Sequence, residues 1–563
     1  MHLTLSALAA SLFLAAALAD VDEGVPVFDC KIPSFTEKLP TIALGKAALF
    51  PSGQLESIIK LASGGAKIDV REEGDSKYWW TGEILIGHVN KTSNESLVFP
   101  YLPSLKPGDL KINDGALKAL VGDQSIIPQD KTRAGIVIGS RLTGSSQVVG
   151  KQPADPATYL LEGLIQRSIP YASGFHPVCG FGSQAAFDFD IDGNIRGLRH
   201  SWRIAADQNR FLTPLNTDQI QANITRRLMA AGIGSSATIT SVDLCFYDAN
   251  NHFLQPAFRF NATVKSDHGP EITFLEGFIP ASSSGELEPL PTITTPSTTG
   301  PIPSNPDLTN STTTQRRRRG RNLDFLLPGP SAQQRRQASS ISVGRYLMSN
   351  DRLSPNFIDE ASNLLRGLRG VSSRFVDSQY YWDDPYVYTT SGSSRYINAV
   401  HLAFSDGHGS PHSFLTNGSK SDNGRVRISG DISAKGFGGT TATGTGSAGR
   451  LAYWILGECS VIPAPIDFPA GQGQKAFEPW WRVFEGGMHA VVGYRGLASV
   501  NPGKWREVGG VLGRGTSVVH GFMRTMLSTG KTAAVTRCGR DADSVFMTAG
   551  LGRPECLQIW WYK

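Results

Sequence analysis

A sixty-residue stretch that has too few apolar residues to bury a core, 281–340, divides this chain of 563 residues in two. From Pro289 through Thr314 it is mostly Ser, Thr, Pro and Asn, a composition expected to stay extended and suited to O-glycosylation. Its second part carries Arg316, Arg317, Arg318, Arg319 and Arg321, then Arg335 and Arg336. The whole chain has a net charge of +5, but 316–336 holds seven arginines against one aspartate, so the rest sums to about −1. The folded parts therefore lack the basic bias that nucleic-acid binding requires. Paired arginines in such a segment read as sites for a kexin-type processing protease; a polyanion-binding patch or a solvated charge run are the other readings.

The compartment follows from residues 1–19. An apolar run from Leu3 to Ala17 ends in Ala17-Leu18-Ala19 ahead of Asp20, the small-x-small pattern of a signal-peptidase site. The run is too short to span a bilayer, and no later segment has the roughly 18 apolar residues a membrane helix needs. A secreted protein that leaves the membrane after signal removal is expected. The glycosylation triplets at Asn90, Asn94, Asn223, Asn261, Asn310 and Asn417 agree with that route. An oxidising compartment favours cysteine pairing. Cys30, Cys179 and Cys245 precede the divider and Cys459, Cys538 and Cys556 follow it, so each half has an odd count. Cys30, Cys179, Cys245, Cys538 and Cys556 are the disulfide candidates, and a Cys538–Cys556 bridge would leave Cys459 as a thiol.

Residues 20–280 read as an α+β region. Phe187 to Arg203 alternates apolar and polar residues around Asp192-Gly193, a hairpin signal. Asp188, Asp190 and Asp192 suggest a calcium loop, but the position of the required bidentate glutamate is Arg199. Thr217 to Ala231 has the stripe Ile220, Ile224, Leu228 of an amphipathic helix, and strands are expected near 237–247 and 256–264. This hairpin, helix and strands loosely resemble propeptide-type domains of the PepSY sort, which implies a binding or inhibitory module and a possible pro-domain. No enzyme motif occurs here.

Residues 341–563 have an α/β grammar. Pro355 to Arg369 is helical by its apolar spacing. Ile397–Phe404, Leu451–Leu456 and Met488–Tyr494 are apolar strands with enough intervening chain for crossovers, which points to a mainly parallel sheet covered on both faces. The first strand runs into Ser405-Asp406-Gly407-His408-Gly409 and the second into Gly457-Glu458-Cys459-Ser460. Functional groups of open α/β sheets gather beyond the carboxyl ends of the strands. If these two strands are parallel neighbours, His408 and Cys459 share a cleft. A thiolate nucleophile needs such an imidazole, and the amides of Gly409 and Cys459 can form an oxyanion hole.

A strand ending in His-Gly, followed 51 residues later by a strand-end cysteine, is similar to the caspase, legumain and gingipain type of cysteine peptidase. More closely, Tyr396–His408, Leu451–Ser460 and Trp481–Gly493 resemble a secreted domain family of unknown function with a GHG…CS…F-x-G-G-x-H arrangement, over roughly 340–563. The resemblance implies a caspase-like three-layer fold with His408 as base and Cys459 as nucleophile. The sequence departs from the peptidase pattern at Glu458, where many such enzymes carry alanine. A carboxylate facing the cleft there would oppose thiolate formation. A crossover helix is expected where Asp422 to Gly449 reads instead as a hairpin and a Gly/Thr-rich loop.

Several plainer readings stand beside these. Cys459 can be a disulfide or an inert buried thiol, and His408 a turn residue. His401 reads as core and His489 as structural. A zinc site from His408, His412 and Cys459 has poor geometry on a glycine-rich turn, so no metal or other cofactor is expected. In Trp79-Trp80, Trp480-Trp481 and Trp560-Trp561 one ring of each pair is expected in the core and the other outside. Two functions follow: a cysteine hydrolase acting on a peptide or protein, or a non-catalytic secreted glycoprotein that uses the same fold to bind protein or glycan. N-terminal sequencing of the secreted protein should find one chain starting at Asp20 and a second at Gln337; a single chain intact across 316–337 would rule out processing.

Overall fold

The computed structural model describes residues 24–290 and 340–563, apart from 111–113, 131, 181, 183, 232, 250–251, 266–271, 288–289, 350, 352, 418–423 and 440–448. The signal segment, Asn310 and all the arginines from 316 to 336 lie outside the described residues. The fold is mixed α/β, with few helices and one large mixed sheet in which most pairings are antiparallel.

The mainly parallel sheet expected after the divider is confined to five strands. In spatial order these are Phe375–Trp382, Ile341–Leu347, Leu402–Asp406, Tyr453–Leu456 and Ala490–Val500, all mutually parallel. Gly530–Arg537 and Cys556–Tyr562 then extend the sheet antiparallel. The chain starts at Ile341–Leu347, crosses through the helix Ser354–Val371 to one edge, and returns to the other side at Leu402–Asp406. The helical spacing seen from Pro355 to Arg369 therefore yields the expected helix. Ile397–Phe404 does not yield one strand: Ile397–Ala399 is a 3-10 turn and the strand begins at Leu402. Apolar character there reflects burial of Ile397 and Val400 in a second core, not strand pairing. No crossover helix is formed by the described part of 422–449, which begins with the short strand Arg425–Arg427.

The sheet does not stop at the divider. Cys556–Tyr562 pairs along its length with Val148–Leu142, seven residue pairs in register. Ser499 and Val500 pair in parallel with Phe274 and Leu275. A single apolar core accordingly contains Leu142, Leu160 and Ile279 from before the divider and Phe357, Phe522 and Trp560 from after it. Trp560 and Trp561 are both buried, against the expectation of one ring outside, because both faces of that strand are covered. Trp560 belongs to one core and Trp561 to the other. Gly144, directly opposite, makes room for Trp560, whose ring lies 4.8 Å from that of Tyr159.

Before the divider, the hairpin pairs Ala185–Phe189 with Ile195–His200, with Gly193 at φ 78° in its turn. The helix Thr217–Ala230 is closed by a capping box between Asn216 and Gln219. Asp190 is not placed for calcium: its carboxylate accepts the amides of Asp192 and Asn194 and pairs with Arg196. Disulfides join Cys179 to Cys245 and Cys538 to Cys556. Cys30, expected among the pairing cysteines, stays a thiol, so the odd count in each half leaves one free thiol there and no cross-link between the halves. Among the glycosylation candidates, Asn90, Asn94, Asn223, Asn261 and Asn417 are all half-buried. The Asn94 amide donates to the Ala47 carbonyl at 2.7 Å and that of Asn261 to Ser241 at 2.9 Å. No helix among the described residues is long and apolar enough to cross a membrane.

The helices Ser354–Val371 and Pro502–Gly513 pack through glycines. A Cβ on Gly509 would lie 2.2 Å from the Leu364 carbonyl oxygen, and one on Gly367 at the same distance from that of Arg506. Gly509→Ala gains about 1 kcal/mol of helix propensity but forces two backbones apart, at about 1–3 kcal/mol. The net effect is destabilisation, measurable as a lower urea midpoint; an unchanged or raised midpoint would contradict this packing.

Candidate functional site

Strand register places the two candidate residues at the same end of the sheet. Leu402–Asp406 pairs in parallel with Tyr453–Leu456, with Ser405 opposite Leu456. His408 and Cys459 each follow three residues beyond that pair, so they leave neighbouring strands at the same end. The two connections interlock. A Cβ on Gly409 would lie 2.4 Å from the Cys459 carbonyl oxygen, and one on Gly457 at 2.4 Å from Asp406 Oδ1. Gly409, read from sequence as an open oxyanion donor, is thus required for close backbone contact with Cys459.

Strand order reverses between Ile341–Leu347 and Leu402–Asp406, and ligands of open α/β sheets bind at such a switch point. Asp351 follows the first of these strands and His408 the second. His408 Nε2 lies 3.1 Å from Asp351 Oδ2, at ion-pair distance though not aligned as a hydrogen bond. The Phe357 ring stands edge-on to the imidazole at 5.8 Å. Asp351 is itself fixed at the start of the helix, its Oδ1 accepting the Leu353 amide at 2.8 Å. Sequence reasoning missed it, because it sits in a polar turn 57 residues before His408.

Cys459 is in neither disulfide and is 8% exposed; His408 is 2% exposed. The strand Ala490–Val500 overshoots the carboxyl end of the sheet, and its overhang covers the thiol: the Ala498 amide donates to Cys459 Sγ at 3.2 Å. The next residue, Ser460, holds φ 59°, a left-handed conformation that costs a non-glycine residue roughly 1–2 kcal/mol. Its amide donates to the Gly496 carbonyl of the same overhang.

Four carboxyl groups complete this end of the sheet. Glu458 is fully buried and its pKa is pushed up to about 8 by burial. Glu360 is raised to about 7 by burial, and its Oε1 accepts the Asn501 amide at 2.6 Å. Asp406 is held well above the carboxylate range by burial and then by Glu360, with which it shares a hydrogen bond. Asp383 is raised by burial and the proximity of Glu458, while Tyr388 donates to its Oδ2 at 3.0 Å. Burial thus moves all four groups toward their neutral forms, and a neutral carboxylic acid can act as a hydrogen-bond donor. The objection to thiol chemistry from a charged Glu458 therefore weakens. Glu360 had a sequence signal: a carboxylate on the apolar stripe of Phe357, Ala361 and Leu364.

The other histidines lie elsewhere. His412 has φ 57°, bonds the Ala476 carbonyl at 3.2 Å and is lowered to about 4 by burial. Its ring faces Phe468 and Trp480. His401 Nδ1 accepts the Ser342 amide. His489 is held between Asp543 and the Ala549 carbonyl, at 2.6 and 2.8 Å. Among the described residues, no group of three or more His, Cys, Asp and Glu is arranged to hold a metal ion.

Residues 345–543 match the model of a domain of unknown function, DUF6345. That span contains Asp351, Glu360, His408, Glu458 and Cys459. No curated protein matches the sequence significantly. Among solved structures, an uncharacterized protein from Eubacterium rectale ATCC 33656 is similar over 45% of this chain and 86% of its own, at 8% identity and a TM-score of 0.28, too low to inform the fold.

Glu458 gives a pH signature. A carboxyl whose folded pKa is raised adds stability below its unfolded pKa and loses it as pH rises through the folded value. The loss attributable to Glu458 therefore runs from its ordinary value near 4.5 up to about 8. Glu458→Gln should flatten the fall of Tm over this interval and raise Tm at its upper end, as read by scanning calorimetry. An unaltered pH slope would mean that Glu458 is not buried as an acid.

Proposed function

We propose that this chain is an exported cysteine hydrolase of caspase-like architecture, with Cys459 as nucleophile and His408 as its base, acting on a peptide or protein. The observation that carries the reading is the parallel register of Ser405 with Leu456, which sends His408 and Cys459 out of adjacent strands at one end. The strand order 375–382, 341–347, 402–406, 453–456, 490–500 with an antiparallel continuation supports the caspase-like part of the reading. In the mechanism, His408 takes the thiol proton and Asp351 balances the imidazolium that forms. The Ala498 amide, aimed at sulfur, favours the charged nucleophile. Two disulfides, Cys179–Cys245 and Cys538–Cys556, support export, as do the signal-like start and the triplets for glycosylation. A kexin-type protease acting at Arg316–Arg319, Arg321, Arg335 or Arg336 is the proposed processing partner.

A second reading, a non-catalytic binding protein, is favoured by one observation: His408 and Cys459 are both buried, Cys459 beneath the 494–500 overhang. Thiol mapping separates the two. In the hydrolase, iodoacetamide labels Cys459 in the native protein, and His408→Ala slows that labelling roughly 10-fold or more while leaving Cys30 unchanged. A Cys459 that stays unlabelled until the protein is denatured, or that reacts equally fast without His408, ends the hydrolase reading.

A further inference from the structure

If the first half is a pro-domain, its departure after cutting meets a physical obstacle at the boundary between the halves. Strand pairing crosses it twice, along seven residue pairs at Cys556–Tyr562 and at Ser499–Val500. Backbone bonds extend the ladder at both ends, from Val149 to the Glu555 carbonyl and from Lys563 to that of Arg141, each 3.0 Å. Charge crosses it too. Arg524 pairs with Asp188 at 2.7 Å, approaches Glu162 at 3.8 Å, and donates to the Val98 carbonyl at 3.3 Å. Arg199 pairs with Glu507, whose carboxyl is held down to about 2 because Arg199 and Lys504 outweigh the cost of burial. Asp188 is fully buried and Glu162, Arg199, Glu507 and Arg524 are half-buried, so separating the halves would expose a sheet edge, Trp560 and unpaired charges together.

We infer that cutting the linker yields a two-chain protein in which the N-terminal chain remains bound as a permanent subunit, filling a sheet edge that the C-terminal chain cannot cover alone. This goes beyond the processing reading and rests on it only for the natural occurrence of the cut. Each disulfide joins cysteines of the same half, Cys179 to Cys245 before the divider and Cys538 to Cys556 after it, so the association is non-covalent. The retained partner also has a regulatory consequence. Ser499 and Val500, paired to Phe274 and Leu275, belong to the overhang that donates to Cys459, so the bound chain keeps the thiol covered after the cut. Ile341, the first residue of its parallel strand, is at the end of the sheet away from Cys459.

The test uses the full chain with a site for a sequence-specific protease inserted between Arg319 and Gly320. After complete cutting, the two chains should separate on a non-reducing denaturing gel yet co-elute in size exclusion at the position of the uncut protein, including at low micromolar concentration. Separate elution of the fragments overturns the inference, and so does a linker that resists the protease, since no two-chain form would then exist. A single band on the non-reducing gel after verified cutting overturns the non-covalent account. Sequencing the naturally secreted protein bears on the processing alone, so failure of one reading is not mistaken for failure of the other.

Discussion

The ladder between Cys556–Tyr562 and Leu142–Val148 is the interaction on which the rest of the structure depends. Without it, Cys556–Tyr562 would be an exposed edge carrying two tryptophans, a surface prone to pairing with other chains. With it, Trp560 is sealed beneath Tyr159 and Trp561 closes the opposite core. The ion pairs beside it contribute differently. A buried pair is weak evidence for stability, because desolvation cancels much of the attraction, but removing one partner costs about 3–5 kcal/mol. Arg524, facing Asp188 and Glu162 across the boundary, therefore acts mainly against misalignment of the halves. The ladder supplies the adhesion.

The site is organised by a second constraint, the closeness of two backbones. Gly409 and Gly457 allow 406–409 and 457–459 to touch: a Cβ at Gly409 would meet the Cys459 carbonyl, and one at Gly457 the Asp406 side chain. Such contact brings Asp406, Glu458 and Glu360 into one buried group. Burial pushes all three carboxyls up toward their neutral forms, Asp406 further through its proximity to Glu360 and Glu458, which eases their repulsion. In the proposed hydrolase, the imidazole beside Asp351 and the thiol under the Ala498 amide would be the groups that exchange protons.

Local pattern made part of this visible. The helix at 354–371 and the strand at Tyr453–Leu456 were legible because their apolar spacing matches the period of the element formed. The His-Gly and Glu-Cys strand ends stood out because reactive residues follow apolar runs directly. Ile397–Val400 misled, since burial in a loop-built core produces the same apolar run as a strand. Asp351 and the ladder to Leu142–Val148 were not legible for one reason: each depends on a partner distant in sequence, and local propensity carries no information about which distant strand or turn will arrive. Glu360 is intermediate. Its place on an apolar stripe marks it as buried, but nothing local says that Asp406 will share its proton.

These constraints bear on how the thiol can be opened. The overhang covering Cys459 is tied at 499–500 to a strand from before the divider, and at Gly496 and Tyr494 to Ser460 and Ile462. The first tie has two residue pairs, whereas the ladder beyond Trp560 has seven. Loss of local structure follows the free energy of the weakest cooperative unit. The short clasp can therefore release while the halves remain joined through the long ladder, and the left-handed backbone of Ser460 stores strain on the side that such a release would relax. An opening of that kind needs neither departure of the N-terminal half nor rearrangement of the parallel strands, which separates access to Cys459 from the event that cuts the linker.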